Sequence, residues 1–196
     1  MLPIILASTS PFRAALLKKL QLPFTTCAPE IDETPLKNED PKTMVQRLTL
    51  EKARKVEHDW PEHYIISSDQ CAVFDGEIIG KPDGYSEAIT QLQKFSGNRV
   101  EFLTGLCLLN TATGSWQLDV VPFYVHFRTL TTGQIENYLR LDQPYNCAGS
   151  FKSEGLGISL FSRLEGDDPN TLIGLPLIRL TDFFLQEGIE LPVAVK

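Results

Sequence analysis

Histidine is scarce in this chain. His58, His63 and His126 are scattered, with no H-x-x-x-H spacing, which argues against a histidine metal centre. Cysteine is equally thin. Cys27, Cys71, Cys107 and Cys147 stand far apart with no C-x-x-C pair, so neither a zinc ribbon nor a thioredoxin-type redox pair is encoded. Four isolated thiols in 196 residues also make a poor disulfide framework, and reduced thiols in a cytoplasmic protein are expected. No stretch approaches the roughly 18 apolar residues that span a bilayer. The start has no basic or apolar leader segment and is interrupted by Pro3, so no membrane partner is expected. Basic charge is in deficit, 18 Lys and Arg against 25 Asp and Glu for a net charge of −7. That balance argues against wrapping nucleic acid, which favours a broad basic face. It leaves room for a small anionic ligand, which needs only a few local cations. Absent too are a G-x-x-x-x-G-K-[ST] phosphate loop, a dinucleotide G-x-G-x-x-G and a G-x-S-x-G nucleophile elbow.

What is present is an ordinary globular composition, 42% hydrophobic and 22% charged, in a length that suits one domain. A strand from Ile4 leads to a helix over about Pro11 to Leu20 and a strand from Phe24 to Ala28. Asp40-Pro41 starts a helix whose Met44, Val45, Leu48, Ala53 and Val56 recur at helical spacing through about Asp59. Tyr64 to Ser67 reads as a strand ending in Ser67-Ser68-Asp69-Gln70. Asp75-Gly76 marks a hairpin. Ala88, Leu92 and Phe95 mark a third helix, followed by two long antiparallel strands near Val100 to Asn110 and Trp116 to Phe127. A helix begins at Thr131, Gly149 to Gly157 is a loop, Ile158 to Leu164 a strand, and Asp168 opens a last helix broken near Gly174-Leu175-Pro176. Strands and helices alternate without a clean βαβ rhythm, so a mixed sheet in an α/β or α+β fold is expected.

Ile4 to Arg13 carries the strongest chemical signal. An apolar strand runs into Ser8, Thr9 and Ser10, and a helix opens at Pro11, a residue suited to the first helical position. Ser10 is the natural N-cap, and the unpaired N–H groups behind it form an anion site. Arg13 lies in the first turn, where a cation opposes the helix dipole. A phosphate between Arg13 and the helix end accounts for that placement; a capped helix with a solvated arginine is the plain alternative. Asp69, at what reads as the carboxyl end of a strand, is either a catalytic carboxylate or a turn-capping aspartate. Lys52, Lys81 and Lys152 lie in segments able to converge on one cleft, although surface lysines are the commoner case. Glu33 belongs to an acidic loop, commonly a solvated surface. A carboxylate-and-cation site of this kind suits phosphate chemistry assisted by magnesium or manganese.

Several segments, taken in order, resemble the Maf family of nucleoside triphosphate pyrophosphatases. They are Leu-Ala-Ser-Thr-Ser-Pro-Phe-Arg (6–13), Pro-Glu-Ile-Asp-Glu-Thr-Pro (29–35), Glu-Lys-Ala (51–53), Ser-Ser-Asp-Gln (67–70), Gly-Lys-Pro (80–82), Ser-Gly-Asn (96–98), Ala-Gly-Ser-Phe-Lys-Ser-Glu-Gly (148–155) and Asp-Pro-Asn-Thr-Leu-Ile-Gly-Leu-Pro (168–176). The resemblance spans about Pro3 to Gly188. It implies an elongated, two-lobed, inosine triphosphatase-like fold with a central cleft, residues 1–196 forming a single domain. The family pattern has Ser-x-Ser-x-Arg-Arg near the start, and Phe12 stands at the first arginine. That departure fits the YceF-type branch, whose members act on 7-methyl-GTP, with Gln70 and Glu154 as that branch's other base-reading residues. Chemistry agrees: guanine's Watson–Crick edge presents donors to an acceptor-only Glu154, and N7 methylation adds a positive charge that suits Glu154 and the face of Phe12.

The resemblance further implies release of pyrophosphate and a nucleoside monophosphate, removing modified nucleotides. Asp69 would activate water with a divalent cation, Mg or Mn, that Asp69 and Glu33 help hold. Ser8, Ser10 and Arg13 would bind phosphate oxygens, and Lys52, Lys81 and Lys152 would offset charge on the leaving pyrophosphate. The expected partner is a nucleoside triphosphate, with no nucleic acid, and a homodimer is compatible with it. Rival readings are a dTTP/UTP or broader modified-nucleotide pyrophosphatase, and a non-catalytic nucleotide-binding regulator of cell division. An RNA-binding module is disfavoured by the acidic balance.

Overall fold

The computed structural model describes residues 1–193. Its centre is a mixed seven-stranded sheet in the order β2-β1-β3-β5-β6-β7, with β4 paired to β3. β1 (Ile4–Ala7) lies parallel to both β2 (Phe24–Cys27) and β3 (Tyr64–Phe74). The long strands β5 (Arg99–Asn110) and β6 (Ser115–Phe127) continue it antiparallel, followed by β7 (Phe161–Glu165). The fold is mixed α/β, as the rhythm of the sequence predicts.

Burial on both faces explains the near-continuous apolar strands. Alternate residues of β1 enter different clusters, Ile4 and Leu6 on one face, Ile5 and Ala7 on the other. The second face is covered along its length by α2 (Pro41–Val56), through Met44, Val45 and Leu48 at one end and Ala53 and Val56 at the other. The first face carries two helical groups. Beside β1, Leu16 and Leu17 of α1 (Pro11–Leu17) pack with Leu180, Phe183 and Phe184 of α6 (Leu177–Gln186). At the far end of β5 and β6, Leu92 and Phe95 of α3 (Tyr85–Phe95) pack with Ile135, Tyr138 and Leu139 of α4 (Thr132–Asp142), around Phe102, Phe127, Phe151 and Phe161. Between them lies the one-turn α5 (Pro169–Ile173). Asp168 fastens this segment: Oδ1 accepts from Asn170 N–H at 2.8 Å and Oδ2 from Ile178 N–H at 2.9 Å, capping the starts of α5 and α6 together.

Several boundaries differ from the sequence reading, three of them by more than the fraying of an end or at a point that bears on the site. The strand expected over Tyr64–Ser67 runs on to Phe74, so Asp69 sits inside β3 rather than at its carboxyl end. Residues 158–160, expected as strand, belong to a 3-10 turn, Leu156–Leu160, and β7 starts at Phe161. Helix α1 stops at Leu17 and tightens into a 3-10 turn over Lys18–Leu20. The single-domain expectation reaches residue 196, and residues 194–196 lie outside the described residues.

The sheet has an opening that decides where the chemistry lies. The β1–β3 register ends at Leu6 opposite Ile66, and the β4 (Glu77–Ile79) register begins at Ile79 opposite Ala72. Between these points Ser67 to Cys71 pair with β5 on one side only. β1 also feeds α1 and β2 on one side while β3 lies on the other. Its carboxyl end is therefore the place where open α/β sheets leave a crevice.

Candidate active site

A cleft of about 930 Å³ occupies this opening, a size typical of small-molecule sites. Because the edge of β3 is open here, side chains from both faces of the strand reach the cleft. Asp69 points toward α2 and Gln70 toward α5.

Asp69 is buried, with 7% of its surface exposed. Its Oδ1 accepts from Lys52 Nζ at 2.6 Å, and the same Nζ lies 2.7 Å from Glu33 Oε1. Lys52, 6% exposed on the buried face of α2, is thus held between two carboxylates. Desolvating a lysine costs several kcal/mol unless it is paired, and the two carboxylates supply that pairing. Burial acts to raise the Glu33 carboxyl; the hydrogen bond and charge of Lys52, helped by Lys81 and Arg13, outweigh it and hold the group below its ordinary value.

Gly105 makes this arrangement possible. It stands directly opposite Asp69 in β5, and a Cβ there would collide with Thr49 and lie 2.9 Å from Val45 Cγ1, both on α2. With no side chain at 105, α2 settles close to the sheet, one turn from Lys52. A glycine inside an apolar strand signals such close approach, and it is the mark by which the sequence could have revealed this residue.

At the mouth, Ser10 caps α1, its Oγ accepting from Arg13 N–H at 3.4 Å, and Ser8 Oγ accepts from Ser10 N–H at 3.1 Å. Each hydroxyl keeps its proton to donate to a ligand. Arg13 is anchored rather than solvated: its Nε donates to the Gly174 carbonyl at 2.9 Å. No hydrogen bond occupies its terminal nitrogens among the described residues, so a two-pronged donor faces the cleft. Burial lowers the guanidinium from its ordinary value, while Asp69 and Glu33 pull it back up.

Lys81, exposed after β4, and Phe12, 39% exposed, line the cleft, as does the exposed Glu154. Lys152 does not. Its Nζ donates to the Asp142 carbonyl at 2.7 Å and lies 3.7 Å from Asp142 Oδ1. Asp142 ends α4, where carbonyls lack intrahelical partners and the helix dipole is negative, so this end competes successfully for the ammonium. Of the three lysines expected to converge, Lys52 and Lys81 stand at the cleft, while the Lys152 ammonium is held at Asp142.

Burial works against thiolate formation at the cysteines of the cleft. Burial, then the charges of Asp69 and Glu101, pushes the Cys71 thiol in the cleft up to about 12, far from the thiolate a nucleophile needs. Burial likewise raises the neighbouring Cys147. Among the described residues no cluster of three or more His, Cys, Asp or Glu is placed to hold a metal ion. Asp69 and Glu33 together offer two hard carboxylates facing one point, now filled by the Lys52 ammonium. That set fits a magnesium-like ion that takes one or two carboxylates and completes its shell with phosphate and water. Cleft electrostatics agree: three cations (Arg13, Lys52, Lys81) face four carboxylates (Glu30, Glu33, Asp69, Glu154), too little positive charge for a triphosphate alone.

The model of the family described as Maf-like protein matches residues 3–187. The chain belongs to the Maf-like family. A relative from Colwellia psychrerythraea (strain 34H) is 55% identical over 187 residues, 95% of this chain and 94% of its own length, and bears the name 7-methyl-GTP pyrophosphatase. Among solved structures, the Staphylococcus aureus Ham1 protein aligns with a TM-score of 0.52 at 13% identity, covering 95% of this chain and 99% of that one. That likeness concerns the fold. Among the described residues of this Maf-like chain, no helix is long and apolar enough to cross a membrane.

Proposed function

We propose that this Maf-like chain is a nucleoside triphosphate pyrophosphatase that converts 7-methyl-GTP and water to 7-methyl-GMP and pyrophosphate. The observation that carries the reading is the Glu33–Lys52–Asp69 cluster in a cleft where the terminal nitrogens of Arg13 also point. The relative named 7-methyl-GTP pyrophosphatase supports the choice of substrate.

In this reading Arg13 grips phosphate oxygens through its terminal nitrogens, and the Ser8 and Ser10 hydroxyls donate to them. Asp69 orients a water through Oδ2, which makes no hydrogen bond among the described residues, and takes its proton as the oxygen adds to the α-phosphorus. The α–β bridging bond breaks, and its oxygen leaves with pyrophosphate, whose growing charge Lys52 and Lys81 offset. Lys152 joins them only by leaving Asp142. Asp69 and Glu33 would hold a divalent cation, which supplies polarisation of phosphate and a more acidic water. Phe12 covers one face of the cationic base, and Glu154 accepts from its Watson–Crick donors.

A panel of nucleoside triphosphates, assayed for pyrophosphate with magnesium, tests this. The expected result is release from 7-methyl-GTP well above that from dTTP, UTP or ATP. Preferential release from dTTP and UTP would transfer the chain to the other substrate class. Silence on every nucleotide would remove the enzymatic reading.

A further inference from the structure

Gln70 and Thr104 face each other across the β3–β5 pair, one hydrogen-bond register apart from Asp69 and Gly105. Thr104 is fully buried. Its Oγ1 donates its single proton to the Thr171 carbonyl at 3.0 Å, leaving only lone pairs for other neighbours. Gln70 places one end of its amide against that oxygen at 2.8 Å, against the Thr171 carbonyl at 2.9 Å and against the Leu172 carbonyl at 3.2 Å. All three are acceptors toward Gln70. The inward end of the amide must therefore be the NH2 group, because turning it over would set a carbonyl oxygen against the Thr171 and Leu172 carbonyls, which have no proton to share. This polarity follows from the chemistry of the neighbours. Oε1 is consequently the end left free of hydrogen bonds among the described residues, on a residue that lines the cleft.

We infer that Thr104 is a specificity-positioning residue: with the α5 carbonyls, it locks the Gln70 amide so that the cleft presents an acceptor, selecting bases whose facing edge carries N–H donors. The inference deepens the proposed nucleotide-binding reading of the cleft and rests on it. Guanine bases, with N1–H and 2-amino donors, satisfy Gln70 Oε1 and the Glu154 carboxylate together. Adenine sets an unprotonated ring nitrogen against the same acceptors and is rejected. Thr104 touches no substrate and acts only through Gln70.

The test is a double-mutant cycle read as the ratio of kcat/KM for 7-methyl-GTP to that for ATP. Thr104→Val keeps shape and burial but removes the hydroxyl. It is expected to lower the ratio about five- to tenfold, the range of one net hydrogen bond, chiefly through KM for 7-methyl-GTP. Thr104→Ser restores the hydroxyl and keeps the wild-type ratio. Gln70→Met lowers the ratio similarly, and Thr104→Val added to it causes no further loss. Should Thr104→Val not fold, Thr104→Ala takes its place in the cycle. Equal losses on both nucleotides, an unchanged ratio, or additive effects of the two substitutions would overturn the inference. Calorimetric binding of GMP and AMP separates it from the function: if no triphosphate is turned over, the pyrophosphatase reading fails, while tighter binding of GMP that Thr104→Val abolishes still upholds the positioning role. Equal binding of the two monophosphates, or none of either, overturns it.

Discussion

Lys52 touches two carboxylates at once, and the consequence is a site whose charges are arranged before any ligand arrives. Its ammonium fixes the inner oxygens of Asp69 and Glu33 and leaves the outer ones unbonded among the described residues. Chain position alone does not reveal such a contact, because lysine is a surface residue by default. The resemblance already implied that residues 33, 52 and 69 share one site. The direct pairing of Lys52 with both carboxylates was not legible, since it depends on how closely α2 lies over the sheet. Lys152 teaches the converse: its neighbours Phe151, Ser153 and Glu154 line the cleft, while its own ammonium turns to the helix end at Asp142. At the far side of the cleft, Glu154 is exposed, with a 3.4 Å contact from the Ser153 hydroxyl as its recorded partner. Such a side chain carries little of the fold, so its substitution reports on base recognition. Glu154→Gln is expected to reduce kcat/KM for 7-methyl-GTP about tenfold or more while changing that for UTP less than threefold, with the thermal midpoint unmoved. Steady-state kinetics on both nucleotides checks this, and equal losses would remove Glu154 from base reading.

At the scale of elements, β3 and α2 form the working pair. The sequence reads Ser67-Ser68-Asp69-Gln70 as the end of a strand because four polar residues in succession look like a turn. The strand continues because each side chain finds a tertiary partner: Ser67 donates to the Thr49 carbonyl, Ser68 to the Gly174 carbonyl, Asp69 accepts from Lys52, and Gln70 donates to Thr104. Local pattern cannot register partners that come from α2, β5 and the turn after α5. Elements with their own punctuation were read well, including the Asp40-Pro41 start of α2, the start of α4 at Thr131 and the Asp75-Gly76 hairpin. Gly105→Ala tests the close approach of α2. A methyl group there must displace Thr49 and Val45, at an expected cost of about 1–3 kcal/mol. Thermal denaturation should show a midpoint lower by several degrees, together with reduced pyrophosphate release as Lys52 is pushed from Asp69. Gly133→Ala, in α4 with open space around it, is the control and should leave both values intact or raise stability slightly.

For the whole molecule, the controlling feature is the interruption of the sheet between β1 and β4. A continuous sheet would give Asp69 and Gln70 to opposite faces and separate the two side chains to which the proposed function assigns chemistry and base recognition. The open edge of β3 lets one cleft use both. Helices α1 and α6 at one end, and α3 and α4 at the other, form two packed groups on the same face, with the α5 segment tying Arg13, Ser68 and Gln70 between them through its carbonyls. The mixed α/β class was legible from element order. The opening was not, because it is set by where the register of two different partners stops along one strand. The cleft's near balance of charge also belongs to this scale, and under the proposed function it predicts that triphosphate binding requires a divalent cation. The central claim is that Asp69 performs the proton transfer in this cleft. It is tested most directly by pyrophosphate release from 7-methyl-GTP with magnesium, wild type against Asp69→Asn, with nucleotide binding measured on the same samples. The account predicts a rate about 10²- to 10⁴-fold lower in the variant, the usual contribution of a general base, with binding unchanged or tighter. A variant that releases pyrophosphate at the wild-type rate would contradict it.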